Sequence, residues 1–143
     1  MIAFLLAFLT SALAGTVQVH FLDVGQGDAI LIEAPDNKRV LIDAGTEGGK
    51  VADRLKARGI EKLNLVVSTH PHADHIGGIA TVLKQMDVGM YVDNGMTHTT
   101  LTYARTTQVV EKQGIAYRAA LNGRTFNIGS EAKLTILHPR STL

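Results

Sequence analysis

The chain has 143 residues, 45% hydrophobic and 19% charged, with a formal net charge of +1. That is the length and composition of one ordinary globular domain. There is no cysteine, which excludes disulfides, zinc fingers and a thiol nucleophile. The near-neutral charge provides no strong electrostatic footprint for nucleic acid or an anionic membrane. A nucleic-acid substrate stays open, because bound metal ions would add positive charge of their own.

Residues 1–14 are almost wholly apolar and end in Ala12-Leu13-Ala14. An apolar segment closed by Ala-x-Ala reads as a signal peptide cleaved after Ala14, and it is shorter than the roughly 20 residues a spanning helix needs. No Lys or Arg precedes the apolar run, so the remnant of a membrane segment is the alternative. Export to the periplasm or medium is expected, with no stable anchor once the leader is cleaved and membrane association if it is not.

Val17, Val19 and Phe21 alternate with Gln18 and His20, the period of a strand with one buried face, which puts His20 on the polar side. Gly25 and Gly27 mark a turn, residues 29–32 a returning strand, the 35–38 stretch another turn, and residues 40–42 a third strand of an antiparallel meander ending at Asp43. A helix is predicted over 49–57, with Val51 and Leu55 on one face and Gly59 as its stop. Residues 63–67 read as a buried strand. Ile76, Ile79, Leu83 and Met86 form the apolar stripe of a further helix, and residues 90–92 a short strand. Thr99 and Thr100 are candidate caps for a helix running to Lys112 and closed by Gly114. Strands follow at 116–119, 125–128 and 133–137, with Asn122-Gly123 as a hairpin turn. The alternation of strand and helix is that of a layered α/β domain.

The chemistry is concentrated in Ser68-Thr69-His70-Pro71-His72-Ala73-Asp74-His75-Ile76-Gly77-Gly78, where three histidines and a carboxylate fall within six positions. Imidazole with carboxylate suits zinc, manganese or iron rather than calcium or magnesium. Pro71 resists helix, so His70 and His72 are expected on an extended loop. Asp74 and His75 fall where a helix begins, the end that favours a carboxylate. Glycines 25, 27, 77 and 78 allow close backbone approach, although simple packing explains Gly77 and Gly78 equally well.

His70-x-His72-x-Asp74-His75 resembles the signature of the metallo-β-lactamase fold superfamily. The Asp-Val-Gly-Gln-Gly-Asp hexapeptide at 23–28, with Leu41-Ile42-Asp43-Ala44-Gly45, resembles the subgroup related to the C-terminal domain of the competence protein ComEC/Rec2. The resemblance covers residues 17–139 and implies an αββα sandwich of which this chain supplies the first half, so that residues 15–143 form a C-terminally shortened domain. It implies two divalent metal ions, zinc first, with His70 and His72 on one and Asp74 and His75 on the other. Such a pair, about 3.5–4 Å apart, lowers the pKa of a shared water toward about 7. Asp74 is also the candidate to hold the nucleophile's proton. Asp43 is expected behind the ligands, accepting hydrogen bonds from the motif loop, and Asp23 and Asp28 are expected to shape the hairpin loop at the edge of the site. His98 and His138 are weaker candidates, better explained as loop surface and as a strand end.

The function implied is a metal-dependent hydrolase acting on phosphodiesters, small or nucleic-acid-like. Ester or amide hydrolysis of the β-lactam type is the alternative on the same fold. From another class comes a non-catalytic metal-binding remnant. The second half of the family's site is absent from this sequence, which leaves a partner chain or a missing C-terminal half to complete it. An uncovered sheet face is expected with it.

Overall fold

The computed structural model describes residues 15–139; the leader expected at 1–14 lies outside them. Three antiparallel strands open the domain: β1 (Gln18–Phe21), β2 (Ile30–Glu33) and β3 (Arg39–Ile42). A 3-10 turn at Glu47–Gly49 leads into α1 (Val51–Ala57). Next come β4 (Lys62–Leu63), β5 (Leu65–Val67), α2 (Ala73–Ile76), α3 (Ile79–Gln85), β6 (Asp87–Val88) and β7 (Met90–Asp93). The long helix α4 (Leu101–Gln113), β8 (Ala116–Ala119), β9 (Thr125–Ile128) and β10 (Ala132–Thr135) complete the described chain. Among the described residues no helix is long and apolar enough to cross a membrane.

The main sheet has six strands in the order β1-β2-β3-β5-β7-β8. From β3 onward its neighbours are parallel, so each link must cross over, and helices make the crossings. Leu31, Leu41, Val66 and Tyr91 share the face on which these helices pack, against Leu55, Ile79, Leu83 and Val110. Ile76, Ile79, Leu83 and Met86 are all buried, but the single helix expected for them is divided: Ile76 ends α2, Ile79 and Leu83 lie on α3, and Met86 is extended just past it. The intervening residues Val40, Leu65, Val67 and Val92 point to the opposite face and pack beneath the β9–β10 hairpin with Ile128 and Ile136.

Four other sequence expectations are corrected. Residues 63–67 do not form one strand: Asn64 breaks it, its side-chain oxygen accepting from the Arg39 N–H at 2.9 Å while its own N–H donates to the Arg39 carbonyl. Leu63 thereby pairs with β6 and Leu65 with β3. Val17, Val19 and Phe21 are exposed, Phe21 to 80%. Their alternation is real, but they lie on the hairpin-covered face at the edge strand, beyond the hairpin's reach. His20 accordingly sits on the helix side, against Arg58 and Glu33. Asn122-Gly123 is a turn but not a hairpin. It passes the chain from the main sheet, where β8 is already paired with β7, to β9 of the second sheet. The last strand also ends earlier than expected, at Thr135, leaving Leu137 exposed.

Candidate functional site

The C-terminal ends of the parallel strands form one edge of the sheet, the place where open α/β sheets bind ligands. Asp43 follows β3, Ser68 to His70 follow β5, and Asp93 ends β7. The ladder continues past the strands, Asp43 N–H donating to the Val67 carbonyl and Ser68 N–H to the Val92 carbonyl, both at 2.8 Å. The motif residues therefore leave the sheet at a fixed height. His72 is extended (φ −79°, ψ 146°) and precedes α2, so Asp74 and His75 occupy its first turns.

Asp43 is buried and accepts three hydrogen bonds from the motif. The Thr69 N–H donates to Oδ1 at 2.8 Å, the Thr69 hydroxyl to Oδ2 at 2.6 Å, and His75 Nδ1 to Oδ2 at 2.9 Å. His70 Nδ1 lies 3.0 Å from the same Thr69 hydroxyl. That hydroxyl has one proton, already given to Asp43, so His70 Nδ1 must be the donor. A single carboxylate thus fixes the tautomer of two imidazoles, one directly and one through Thr69, and both keep a free Nε2 lone pair.

The imidazoles cluster, with ring centroids 4.6 Å apart for His70 and His72 and 4.0 Å for His70 and His75. Asp74 Oδ2 lies 4.0 Å from His75 Nε2 and accepts from the Gln26 amide at 3.2 Å. That hydrogen bond, with one from the backbone, holds the Asp74 carboxyl below the usual aspartate range. The hairpin loop thereby leans over the motif. Gly27 packs so tightly there that a Cβ would run into the Asp74 carbonyl oxygen. Asp23 accepts from the Gly25 N–H within the loop, and Asp28 Oδ2 is 3.6 Å from His75 Nδ1. Gly78 meets the Ala44 carbonyl in the same way, so packing of the motif helix on the strand-end loop accounts for it.

The donors suit a borderline divalent metal in kind, nitrogen with carboxylate oxygen. Among the described residues, however, no three His, Asp or Glu side chains are arranged to hold one ion. His98 is tied to Thr100 at the cap of α4, and His138 is exposed beside an apolar groove that runs from His70 to Leu137.

Three residues escape the sequence reading. Gln26 and Thr69 lie inside the quoted motifs but carry no signal of their own. Asp93 has one: Tyr91-Val92-Asp93 repeats the apolar-strand-then-aspartate pattern of Leu41-Ile42-Asp43. It is 5% exposed and accepts from the Tyr117 hydroxyl at 2.7 Å.

The profile of the metallo-beta-lactamase superfamily matches residues 22–121. ComE operon protein 3 of Bacillus subtilis is 28% identical over 95% of this chain and 20% of its own length. Recombination protein 2 of Haemophilus influenzae is 42% identical over 48% of this chain and 9% of its own. Exodeoxyribonuclease WalJ of Streptococcus pneumoniae is 30% identical over 47% of this chain and 25% of its own. The chain thus spans a quarter or less of these relatives. The solved metallo-beta-lactamase SMB-1 superposes on 78% of this chain and 47% of its own, at TM-score 0.57 and 21% identity. YhfI of Bacillus subtilis does so on 80% and 50%, at 0.54 and 16%. These likenesses show the fold.

Proposed function

Since this chain belongs to the metallo-β-lactamase superfamily of hydrolases and is ComEC-like, we propose that it is a divalent-metal-dependent hydrolase of phosphodiesters of the nucleic-acid kind. The observation that carries the reading is the Asp43 network, which turns the free nitrogens of His70 and His75 outward beside His72 and Asp74. His70 and His72 would hold one ion and Asp74 and His75 a second. Such a pair, zinc first, supplies Lewis acidity that makes water a nucleophile at neutral pH and neutralises charge on phosphoryl oxygens. Asp74, whose carboxylate accepts from the Gln26 amide, would accept the proton of the attacking water. Asp43 holds the imidazoles in register through the reaction, and Asp28 adds negative charge behind His75.

The phosphodiester preference is supported by the relative named an exodeoxyribonuclease and by the hexapeptide at 23–28, which resembles that of the ComEC/Rec2 subgroup. The test is hydrolysis of bis-p-nitrophenyl phosphate with added zinc or manganese. Turnover lost in His72→Ala is expected; turnover of a chromogenic β-lactam in its place would sink the phosphodiester reading. The lack of three convergent donors among the described residues favours one other reading, a module that binds metal without turnover. Export is proposed with either reading: N-terminal sequencing of the secreted protein should begin at Gly15.

A further inference from the structure

One strand along from the histidines, a cavity of about 570 Å³ opens between the ends of β7 and β8 and the inner side of α4. That is a volume suited to a small organic molecule. Tyr103 and Tyr117 form its walls, Tyr91 its buried floor, and Asp93, Thr107 and Glu111 supply polar atoms. No Lys or Arg lines it, while two carboxyl groups do. This makes it a poor place for a phosphate and a suitable one for an uncharged group carrying N–H or O–H donors. Asp93 is the built feature. Its Oδ1 is taken by the Tyr117 hydroxyl at 2.7 Å and the Gly95 N–H at 2.8 Å. Its Oδ2 makes no hydrogen bond among the described residues. Among the described residues no buried side-chain oxygen lacks a partner, so this oxygen is open to solvent and can accept from a bound donor.

The cavity shares walls with the candidate site. Tyr91, Asp93 and Tyr103 also line a small cleft with Ser68, His70, Pro71, Ile76 and Asn94. A molecule seated between the tyrosines would therefore lie one shared wall away from His70. Aromatic walls, free acceptors, no cation and this adjacency together match one part of a phosphodiester. We propose that the cavity holds the uncharged nucleoside, base with sugar, next to the scissile phosphate. The base lies against the Tyr103 and Tyr117 rings, and Asp93 accepts from a base N–H or sugar hydroxyl. This rests on the phosphodiester reading.

The three tyrosines of the chain all line this cavity, so every tyrosine signal reports on it. The full chain labelled with 3-fluorotyrosine would be titrated with thymidine, and separately with inorganic phosphate, and followed by ¹⁹F NMR. Thymidine is expected to move at least two of the resonances saturably, with phosphate leaving them in place. Tyr103→Leu, which keeps apolar bulk at the wall, should weaken thymidine binding at least about fivefold. Resonances unmoved by thymidine, or moved equally by phosphate, would overturn the proposal. Wild-type hydrolysis of bis-p-nitrophenyl phosphate, which has no nucleoside, tests the phosphodiester reading separately. Its failure therefore cannot be confused with failure of the cavity.

Discussion

At Asp43 the backbone takes φ +57°, a left-handed conformation that Asp and Asn tolerate better than other residues with a Cβ. The same residue satisfies three donors of the motif from a buried position. Asp43→Ala removes the acceptor and keeps the strain, and should cost about 2–4 kcal/mol in urea unfolding. Asp43→Asn retains the conformation and one acceptor oxygen, and should cost about 1 kcal/mol. Equal losses in the two variants would show that the hydrogen bonds do not matter. The tyrosines give a second handle at this scale. Burial pushes the Tyr91 and Tyr117 hydroxyls well above the ordinary value of 10.0, and the hydrogen bond to Asp93 and its charge add to the effect at Tyr117. A pKa raised by folding gives stability that is whole below the unfolded value and is lost as pH rises past it toward the folded one. The urea midpoint should therefore hold to about pH 9 and fall as pH rises past about 10, and fall less in Tyr117→Phe. A midpoint that stays flat beyond that point in the wild type would contradict this.

Helix α3 is the element on which the motif is braced. Leu83 is fully buried against the sheet while Lys84, beside it, is exposed. Leu83→Ala should cost about 2–5 kcal/mol and Lys84→Ala less than about 0.5 kcal/mol, both read from chemical denaturation. The α4 cap is weaker: the Thr100 hydroxyl accepts from the Tyr103 N–H at 3.4 Å, so Thr100→Ala should cost only about 0.5 kcal/mol. Helices α1 and α4 were legible because each has an apolar stripe at helical spacing and is followed by a glycine with positive φ, Gly59 after α1 and Gly114 after α4. The strands were less so. Alternation at Val17, Val19 and Phe21 states that one face is apolar, and cannot state whether anything covers it. Asn122-Gly123 announces a turn, and which strands it joins depends on β8 having found β7 through α4, a long-range pairing invisible in the local sequence. The same limit hid Thr69 and Asp93, whose partners lie 26 and 24 residues away.

Among the described residues, one sheet face is closed by helices and the other is covered over its central strands by the β9–β10 hairpin. Phe21 and Leu137 stand 80% and 76% exposed on or beside that second face. All four motif donors come from the loop and helix after β5, and among the described residues no three of them converge. The order of strands, the position of the motif at their ends and the role of Asp43 behind it follow from a compact set of residues, 40–45 and 65–78. The reading of this edge as a metal site stands or falls on metal content. The chain would be dialysed against zinc, washed, and its zinc-to-protein ratio measured by elemental analysis alongside a variant with His70, His72 and His75 all replaced by alanine. The account predicts about two zinc ions per wild-type chain and none retained by the variant. A wild-type chain that keeps no zinc, or a variant that keeps as much, would contradict it.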